Sequence, residues 1–508
     1  MTTILAAALA VVAFKDAAKI RSWDAWDDHR QKAAVTSVLD REKPCVTWKR
    51  LNALDVGLKE IGRLKTRTSA EVKSSKWSVG CETLDRDYAD WNAYKELIPM
   101  LGVKHARFFS GWAKTEQERG KYDFSWLDPQ IRECAAMGVK PWVCISYGNP
   151  VWGSDFRLGM RVKQVTGNQE SFAAWLRYTK ALVERYKDVV DEWEVWNEPF
   201  GQGTEYAEMF YRTALAVREI QPTAKLYCAA ITWDDYVKVL DLLRERNALD
   251  LGSYFIYHPY HPNPDSSYDD AAKRHNVSAV PLRKLVKGYS EKFDILQGEV
   301  GCPAQLEFAH ALNGIEWTEY AQAKWNLRRA IGDASRSIPS NLFTMTDLQY
   351  TFMLQSFGLL RSNALKEFVY RRPSWYAMRN VYALIDDETL PRELGVMKGV
   401  LICRRADPRE TKSRDLACCR FERVGRSLRF CWFCEARPDS RLEFDRVDLD
   451  VPEKLDRPVW ADMITGRVFE IPEERIERHA DGMTLKDIPM WDSPVLIAAR
   501  DAVPQNNL

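Results

Sequence analysis

The chain has 508 residues, of which 46% are hydrophobic and 29% charged, and its formal net charge is +1. This length predicts two or three domains, and the composition is typical of a globular protein. A near-neutral chain without a long Lys/Arg run gives no electrostatic support for binding nucleic acid or an anionic membrane, so neither is expected as a partner.

Residues 1–70 are predicted to form a short helical N-terminal extension. Their apolar run, residues 4–14, is too short to span a bilayer. It fits an Ala-rich docking helix, and a cleaved signal peptide is the alternative.

The chain contains 11 cysteines, an odd number without the spacing of a disulfide framework. Reduced, buried thiols are therefore expected, which favours a cytoplasmic location. A signal peptide at the N-terminus would indicate a secreted or periplasmic protein instead. Cys431 and Cys434 have the spacing of a zinc half-site but lie in a strand-like run, so they are interpreted as buried strand residues.

Residues 71–390 alternate short apolar, β-prone runs with stretches of helical period, the clearest from Ser171 to Tyr186. The eight candidate strands are WSVGCE, HARFFSGW, VKPWVCIS, VDEWEVWNE, KLYCAAIT, SYFIYHPY, FDILQGE and LFTMTD. This pattern predicts an α/β fold, a (β/α)8 barrel. A doubly wound sheet would carry a Gly-rich phosphate turn after its first strand, and WSVGCETLDR has none.

The pattern of apolar and polar residues changes again in residues 391–508. Short strand-like runs separated by polar turns predict an all-β accessory domain, a sandwich packed on the barrel.

Two glutamates follow strands that lie across the barrel from one another. The fourth strand ends in WEVWNEP, where alternation places Glu194 and Glu198 on one face and Pro199 ends the ladder. The seventh ends in QGEVG, where Glu299 is flanked by glycines that permit close approach. Because barrel sites form at the carboxyl ends of the strands, Glu198 and Glu299 are expected in one cleft.

A pair of carboxyl groups suits the cleavage of a glycosidic bond. One delivers a proton to the leaving oxygen, and the other opposes the oxocarbenium-like centre. Carboxyl groups about 5–5.5 Å apart permit a covalent intermediate, whereas about 6.5–9.5 Å leaves room for water and inverts the anomeric centre.

These motifs resemble those of glycoside hydrolase clan A. WEVWNEP is similar to the Asn-Glu-Pro signature whose Glu is the acid/base, and QGEVG is similar to the segment that carries the nucleophile. The similarity spans about Lys76 to Asp386 and is nearest to family 39 and family 5 barrels. It implies retention, with Glu198 as acid/base and Glu299 as nucleophile.

The resemblance also implies roles for several neighbours. Asn197 would hold the sugar 2-hydroxyl, His258 and Tyr260 match the His-x-Tyr beside the nucleophile, and Arg107 matches the arginine beneath it. TMTDLQY lacks the Trp that many clan members carry after the eighth strand. Sugar stacking is therefore expected from other indoles: Trp112, Trp152 or Trp233.

Other polar residues have two interpretations each. Glu82, Asp85 and Asp87 follow the first strand and either bind sugar hydroxyls or form a solvated loop; Glu82 is kept as a candidate for substrate binding. Glu194 is expected to be a buried carboxylate paired with Arg107 or another base. The histidines of HPYHP are interpreted as part of a rigid loop, so no metal and no cofactor is expected.

The sequence thus predicts a hydrolase that cleaves a β-linked glucoside, galactoside, xyloside or mannoside by double displacement. A transglycosidase with the same carboxylates and a carbohydrate-binding pseudoenzyme are the alternatives. The expected partner is a glycoside or oligosaccharide, and a homo-oligomer is compatible with the sequence.

Overall fold

The structure of the protein is a computed structural model that describes residues 44–154, 161–266, 268, 277–402 and 413–507. Strand β1, Lys59–Leu64, precedes a closed barrel of eight parallel strands that neighbour one another in chain order. The barrel strands are β2 Trp77–Gly80, β3 His105–Phe109, β4 Lys140–Ile145, β5 Glu192–Val195, β6 Lys225–Cys228, β7 Tyr254–Tyr257, β8 Asp294–Val300 and β9 Ser340–Leu342.

All eight predicted strand positions fall on barrel strands, and the eighth is shorter and earlier than predicted. Strand β9 ends at Leu342, where the predicted run begins. Beyond it the chain still bonds to both neighbouring strands, with Phe343 N donating to Val300 O and Met345 N to Gly80 O, each at 2.9 Å. This irregular segment therefore closes the rim of the barrel without forming a regular ladder.

The helices cover the outside of the barrel. Helix α6, predicted from Ser171, begins two residues earlier, because Asn168 caps it by accepting from the backbone N–H groups of Glu170 and Ser171. The α-helices are α1 Pro44–Asn52, α2 Ile98–Leu101, α3 Trp112–Thr115, α4 Asp128–Ala136, α5 Val162–Thr166, α6 Gln169–Tyr186, α7 Gly203–Ile220, α8 Trp233–Glu245, α9 Ala279–Tyr289, α10 Glu319–Ser335 and α11 Pro373–Leu384. Short 3-10 helices occupy Leu84–Arg86, Trp91–Ala93, Lys95–Leu97, Pro150–Trp152, Leu249–Leu251, Pro264–Ser266, Glu473–Arg475 and Arg500–Ala502.

The C-terminal part is all-β, as predicted. An antiparallel eight-stranded sheet has the order β14-β15-β16-β22-β18-β19-β1-β23, and a three-stranded sheet has the order β17-β21-β20. Two small hairpins, β10–β11 and β12–β13, follow the barrel. These strands are β10 Leu348–Gln349, β11 Leu354–Gln355, β12 Leu360–Ser362, β13 Phe368–Arg371, β14 Thr389–Leu401, β15 Ser413–Arg423, β16 Arg426–Phe433, β17 Asp445–Val451, β18 Pro458–Asp462, β19 Arg467–Glu470, β20 Ile476–Arg478, β21 Met483–Met490, β22 Val495–Ala499 and β23 Gln505–Asn507.

The large sheet is covered on both faces. Along β15, Leu416 and Cys418 belong to the core shared with the three-stranded sheet, whereas Cys419 and Phe421 belong to the core shared with the barrel. Successive side chains of a strand point to opposite faces, so one sheet serves both interfaces. The domain is therefore a sandwich seated on the barrel.

Strand β1 was not predicted. It pairs with β19 and β23, so part of the N-terminal extension completes the C-terminal sheet. Residues 4–14 lie outside the described residues, so the docking helix and the signal peptide both stay predictions. The boundaries 1–70, 71–390 and 391–508 stay a prediction.

Nine described cysteines are buried and free, in line with the expectation of unpaired thiols. Cys431 lies within β16, as expected of a strand residue, whereas Cys434 is buried but directly follows the last residue of β16, Phe433. Among the described residues, no helix is long and apolar enough to cross a membrane.

Candidate active site

Glu198 follows β5 at the carboxyl end of the barrel. Trp196 (φ 65°) and Glu198 (φ 52°) both adopt the left-handed backbone region, which side chains other than glycine rarely occupy. This turn places the Glu198 side chain at the rim, where 29% of it is exposed. Its Oε1 lies 2.8 Å from Nδ1 of His258.

Glu299 lies within β8, and 12% of its side chain is exposed. Tyr260 donates its hydroxyl to Oε1 at 3.0 Å, and Arg107 donates Nη1 to Oε2 at 2.7 Å. The glycines around it serve the backbone: a methyl group at Gly298 would collide with the neighbouring strand, and one at Gly301 with a carbonyl oxygen of the rim.

The two glutamates converge. Carboxylate oxygens of Glu198 and Glu299 and a ring nitrogen of His258 all lie within 4.8 Å of one another. Retaining glycosidases have their two carboxyl groups about 5–5.5 Å apart, and inverting ones about 6.5–9.5 Å. The distance between these oxygens of Glu198 and Glu299 fits the shorter separation.

Arg107 is fully buried beneath the pair. Its Nε and Nη2 bind both oxygens of Glu194 at 2.8 and 2.6 Å, which confirms the predicted pairing. Nη1 reaches Glu82 at 3.1 Å as well as Glu299, and Nη2 also donates to Asn197 Oδ1 at 2.7 Å. One guanidinium thus fixes the positions of three carboxylates and an amide.

The carboxyl groups on Arg107 have unlike pKa values. Burial raises the pKa of Glu82 to about 7, and the charge of Glu299 adds to the rise. Burial also acts to raise the pKa of Glu299, but the charges of His258 and Arg107 and the hydrogen bonds from Arg107 and Tyr260 outweigh it, so that pKa is lowered. Glu299 is thereby kept ionised.

His258 is buried beside both glutamates. Burial acts to lower its pKa, and the charges of Glu299 and Glu198 together with the Glu198 hydrogen bond raise it overall. Glu198, His258 and Glu299 are also the one set of His, Cys, Asp or Glu side chains, among the described residues, close enough to hold a metal ion. At this place Arg107 already supplies Glu299 with the positive charge that a metal ion would bring.

Asn197 is 6% exposed and held at both ends of its amide. Its Oδ1 accepts from Arg107, and its Nδ2 donates to the Tyr147 hydroxyl at 2.8 Å. Tyr147 was not singled out from the sequence. It follows β4 and packs edge-on against Trp196.

Two of the predicted stacking indoles are not available to a sugar. Trp112 is fully buried, with its Nε1 donating to Glu116 at 2.6 Å, so its prediction as a stacking surface is wrong. Trp152 is 7% exposed and lies under the guanidinium of Arg119 at 4.2 Å. Trp233 is half-buried at the start of α8 and packs against the barrel core.

Glu82 is 1% exposed and faces Arg107 rather than open space. The prediction that it binds sugar hydroxyls is therefore not supported by its position. Asp85 is buried beside Arg86, and Asp87 is exposed and paired with Lys114 at 2.6 Å.

An aromatic cluster stands at the rim that the sequence did not reveal. Tyr350 lies 4.5 Å from Tyr88 and 4.7 Å from His310 between ring centroids, and Phe352 follows at 5.8 Å from His310. Burial raises the pKa of Tyr350; the charge of Arg86 acts to lower it, and the charges of Glu299 and Glu198 add to the rise. Tyr350 ends the TMTDLQY segment, so the segment that lacks the expected indole supplies a phenol ring instead.

No protein-family model matches the chain. Several solved structures resemble it. A family 39 glycoside hydrolase from the gut symbiont Bacteroides cellulosilyticus WH2 is 18% identical with a TM-score of 0.62, over 84% of this chain and 81% of that one. A family 39 β-xylosidase from Caulobacter crescentus is 14% identical with a TM-score of 0.50, over 86% and 98%. A family 30 endoxylanase from Clostridium papyrosolvens C71 is 10% identical with a TM-score of 0.51, over 86% and 97%.

Identities this low establish a likeness of fold. The family 39 resemblance expected from the sequence is confirmed at that level. The chain has the fold of the clan A glycoside hydrolases of families 39 and 30, a (β/α)8 barrel with an appended β-sandwich.

Proposed function

We propose that this protein is a retaining glycoside hydrolase that cleaves β-linked glycosides, with Glu299 as nucleophile and Glu198 as general acid/base. The observation that carries the proposal is the approach of the two carboxylates to within 4.8 Å at the open end of the barrel. Their unlike surroundings support separate roles, since Glu299 is bound by a cation and a phenol and Glu198 is the more exposed.

In the first step an oxygen of Glu299 attacks the anomeric carbon. The bond from that carbon to the leaving oxygen breaks, and Glu198 gives its proton to that oxygen. The products are a glycosyl ester of Glu299, a free alcohol and an ionised Glu198.

In the second step Glu198 takes a proton from water as the water oxygen attacks the same carbon. The ester bond breaks, which frees the sugar and restores ionised Glu299 and protonated Glu198. Two inversions at one carbon give net retention.

Neighbouring side chains position the pair. Arg107 and Tyr260 hold the two oxygens of Glu299, and His258 holds one oxygen of Glu198. Asn197, clamped between Arg107 and Tyr147, would hold the sugar 2-hydroxyl, an interaction that strengthens in the transition state.

Among the sugars named from the sequence, xylosides are the first to test, because two of the similar structures are a β-xylosidase and an endoxylanase. The sugar ring is proposed to stack on the cluster around Tyr350 rather than on Trp112 or Trp152.

The test is a panel of nitrophenyl β-glycosides with wild type and three variants. E299Q should show no turnover. E198Q should lose roughly 10²–10⁴-fold on poor leaving groups, yet keep the first step on activated aryl glycosides and respond to azide. E245Q changes an exposed glutamate at the C-terminal end of helix α8, on the outside of the barrel, and should behave as wild type.

Three outcomes oppose the proposal. Full activity in E299Q would show that Glu299 is not the nucleophile. Sugar binding without turnover of any linkage would indicate a pseudoenzyme, and transfer to an acceptor sugar in preference to water would indicate a transglycosidase. Proton NMR of the first-formed sugar tests retention directly, since an inverted anomer contradicts double displacement.

A cytoplasmic location is proposed on the nine buried, free thiols.

A homo-oligomer is proposed through β14, an edge strand that exposes Leu390, Leu394, Val396 and Leu401. Sedimentation of wild type and L394K tests the second point: a monomeric wild type, or an unchanged oligomer in the variant, contradicts it.

A further inference from the structure

Glu82 is a carboxyl group at the site to which the proposed mechanism gives no role. Its side chain is fully buried against the guanidinium of Arg107. The Nη1 nitrogen of Arg107 donates to Glu82 Oε1 at 3.1 Å and to Glu299 Oε2 at 2.7 Å. Glu82 and the proposed nucleophile are therefore bound by the two N–H groups of a single nitrogen.

One cation serves three carboxyl groups in this cluster. The side chains of Arg107, Glu82 and Glu194 are fully buried, and that of Glu299 is mostly buried. Glu194 takes up two guanidinium N–H groups by itself, at 2.8 and 2.6 Å. Because an unbalanced charge is costly away from water, the cluster is more stable when one of its three carboxyl groups holds a proton.

The contacts of Glu82 suit a proton on one of its two oxygens. Its Oε1 accepts from Arg107 and, at 3.3 Å, from Asn341 Nδ2. Its Oε2 lies 3.4 Å from the hydroxyl of Thr344, which itself donates to the Gly80 carbonyl at 2.7 Å. A hydroxyl has one hydrogen to donate, so the Oε2 contact is satisfied when Oε2 is protonated and donates to Thr344.

The electrostatics of the cluster agree with this assignment. Burial raises the pKa of Glu82 to about 7; the charge of Arg107 acts to lower it, and the charge of Glu299 adds to the rise. The pKa of Glu299 is lowered instead. Three further titratable side chains interact electrostatically with Glu82 and stay neutral near that pH, because burial raises their pKa values well above the usual ones: Cys81, Tyr94 and Tyr260.

We propose that Glu82 is a positioning residue that holds a proton while Glu299 is ionised and releases it when Glu299 becomes the glycosyl ester. This inference rests on the proposed function. Esterification removes the charge of Glu299 and leaves an N–H group of Arg107 without its anionic acceptor. The O–H bond of Glu82 then breaks, its electron pair stays on the oxygen, and the proton goes to bulk water. Hydrolysis of the ester reverses the exchange, so the charge around Arg107 is kept through both steps.

The test measures the protons released when the ester is trapped. A 2-deoxy-2-fluoro glycosyl fluoride turns ionised Glu299 into the ester and frees fluoride, a reaction that by itself consumes and releases no proton. E82Q keeps the shape of the protonated side chain and can donate to Thr344, but it has no proton to lose. In weakly buffered solution at about pH 6.5, an indicator dye should show that wild type releases most of a proton more per label than E82Q. Any proton from Glu198 or His258 appears in both proteins and cancels in this difference.

E192Q is the matched control, since Glu192 is a buried glutamate at the opposite end of β5, paired with His105 and two lysines. It should release as many protons as wild type. Equal release from wild type and E82Q overturns the inference while the labelled Glu299 leaves the proposed function intact. A protein that takes no label on Glu299 contradicts the proposed function itself, and the inference fails with it.

Infrared difference spectra of wild type before and after labelling give a second readout that needs no variant. The carbonyl band of a protonated carboxyl group shifts in D2O, whereas that of an ester does not. Labelling should remove a band that shifts in D2O and add the bands of a carboxylate. Spectra in which every such band survives labelling overturn the proposal.

Discussion

Removing the Tyr260 hydroxyl tests how Glu299 is kept ionised. In Tyr260→Phe the ring still packs edge-on against Phe357, so the change is confined to one hydrogen bond of 3.0 Å to Oε1. Hydrogen bonds to charged groups contribute roughly 1.5–3 kcal/mol. The pKa of Glu299, lowered in the wild type, should therefore rise in the variant.

The sign of the pH effect follows from this. A carboxylate with a lowered pKa stays ionised as the pH falls, so wild type should keep its activity to acidic pH. In Tyr260→Phe protonation of Glu299 begins at higher pH, and the acid limb of kcat/KM should move upward. At about 1.4 kcal/mol per tenfold, the additional loss on that limb should be at least roughly tenfold.

The assay is kcat/KM against pH with an activated aryl glycoside, so that the first step is observed. Tyr254→Phe, at the other end of β7, is the control and should leave the profile unchanged. A uniform loss across all pH values with an unmoved acid limb would refute the reasoning, since the hydroxyl would then act on binding alone.

Three further outcomes are expected. Arg107→Met should lower the free energy of unfolding, measured with urea, by about 3–5 kcal/mol at neutral pH. The difference from wild type should be smaller at pH 5, because the carboxylates that have lost their cation take up protons there. A difference independent of pH would contradict this. Trp112→Phe should cost about 1–3 kcal/mol in urea unfolding because Glu116 loses a donor, with KM unchanged; a raised KM would restore Trp112 to the sugar site. Tyr350→Ala should raise KM roughly 2- to 10-fold by loss of stacking, and an unchanged KM would remove the aromatic cluster from the subsite.

The convergence of the site could be predicted because it follows from periodicity. Parallel strands of a closed barrel end at one rim, so the strand ends that carry Glu198 and Glu299 had to meet there. Glu194 lies within β5 and Glu198 beyond its end, so their order along the chain separated the rim residue from the deeper one. A buried carboxylate requires a buried cation, which Arg107 supplies.

The stacking surface could not be predicted in the same way. An indole near a strand end has no periodic signal that separates a sugar platform from a packed core residue, and Trp112 is packed into the core. Tyr350 and His310 come from loops that meet only through the conformations of two separate connections.

Strand β1 illustrates a second limit. Its sequence, KEIGRL, is short and half charged, and its partners β19 and β23 come from the far end of the chain. Local propensity carries no information about such pairing, which is settled by the edge that the C-terminal sheet leaves open.

The most direct test of two carboxylates acting on one anomeric carbon is to trap the intermediate. A 2-deoxy-2-fluoro glycosyl fluoride of a cleaved sugar should inactivate the protein with a mass increase of one fluorosugar, and peptide sequencing by mass spectrometry should place the label on Glu299. A label on any other residue, or continued turnover with no label at saturating reagent, would contradict the double displacement proposed here.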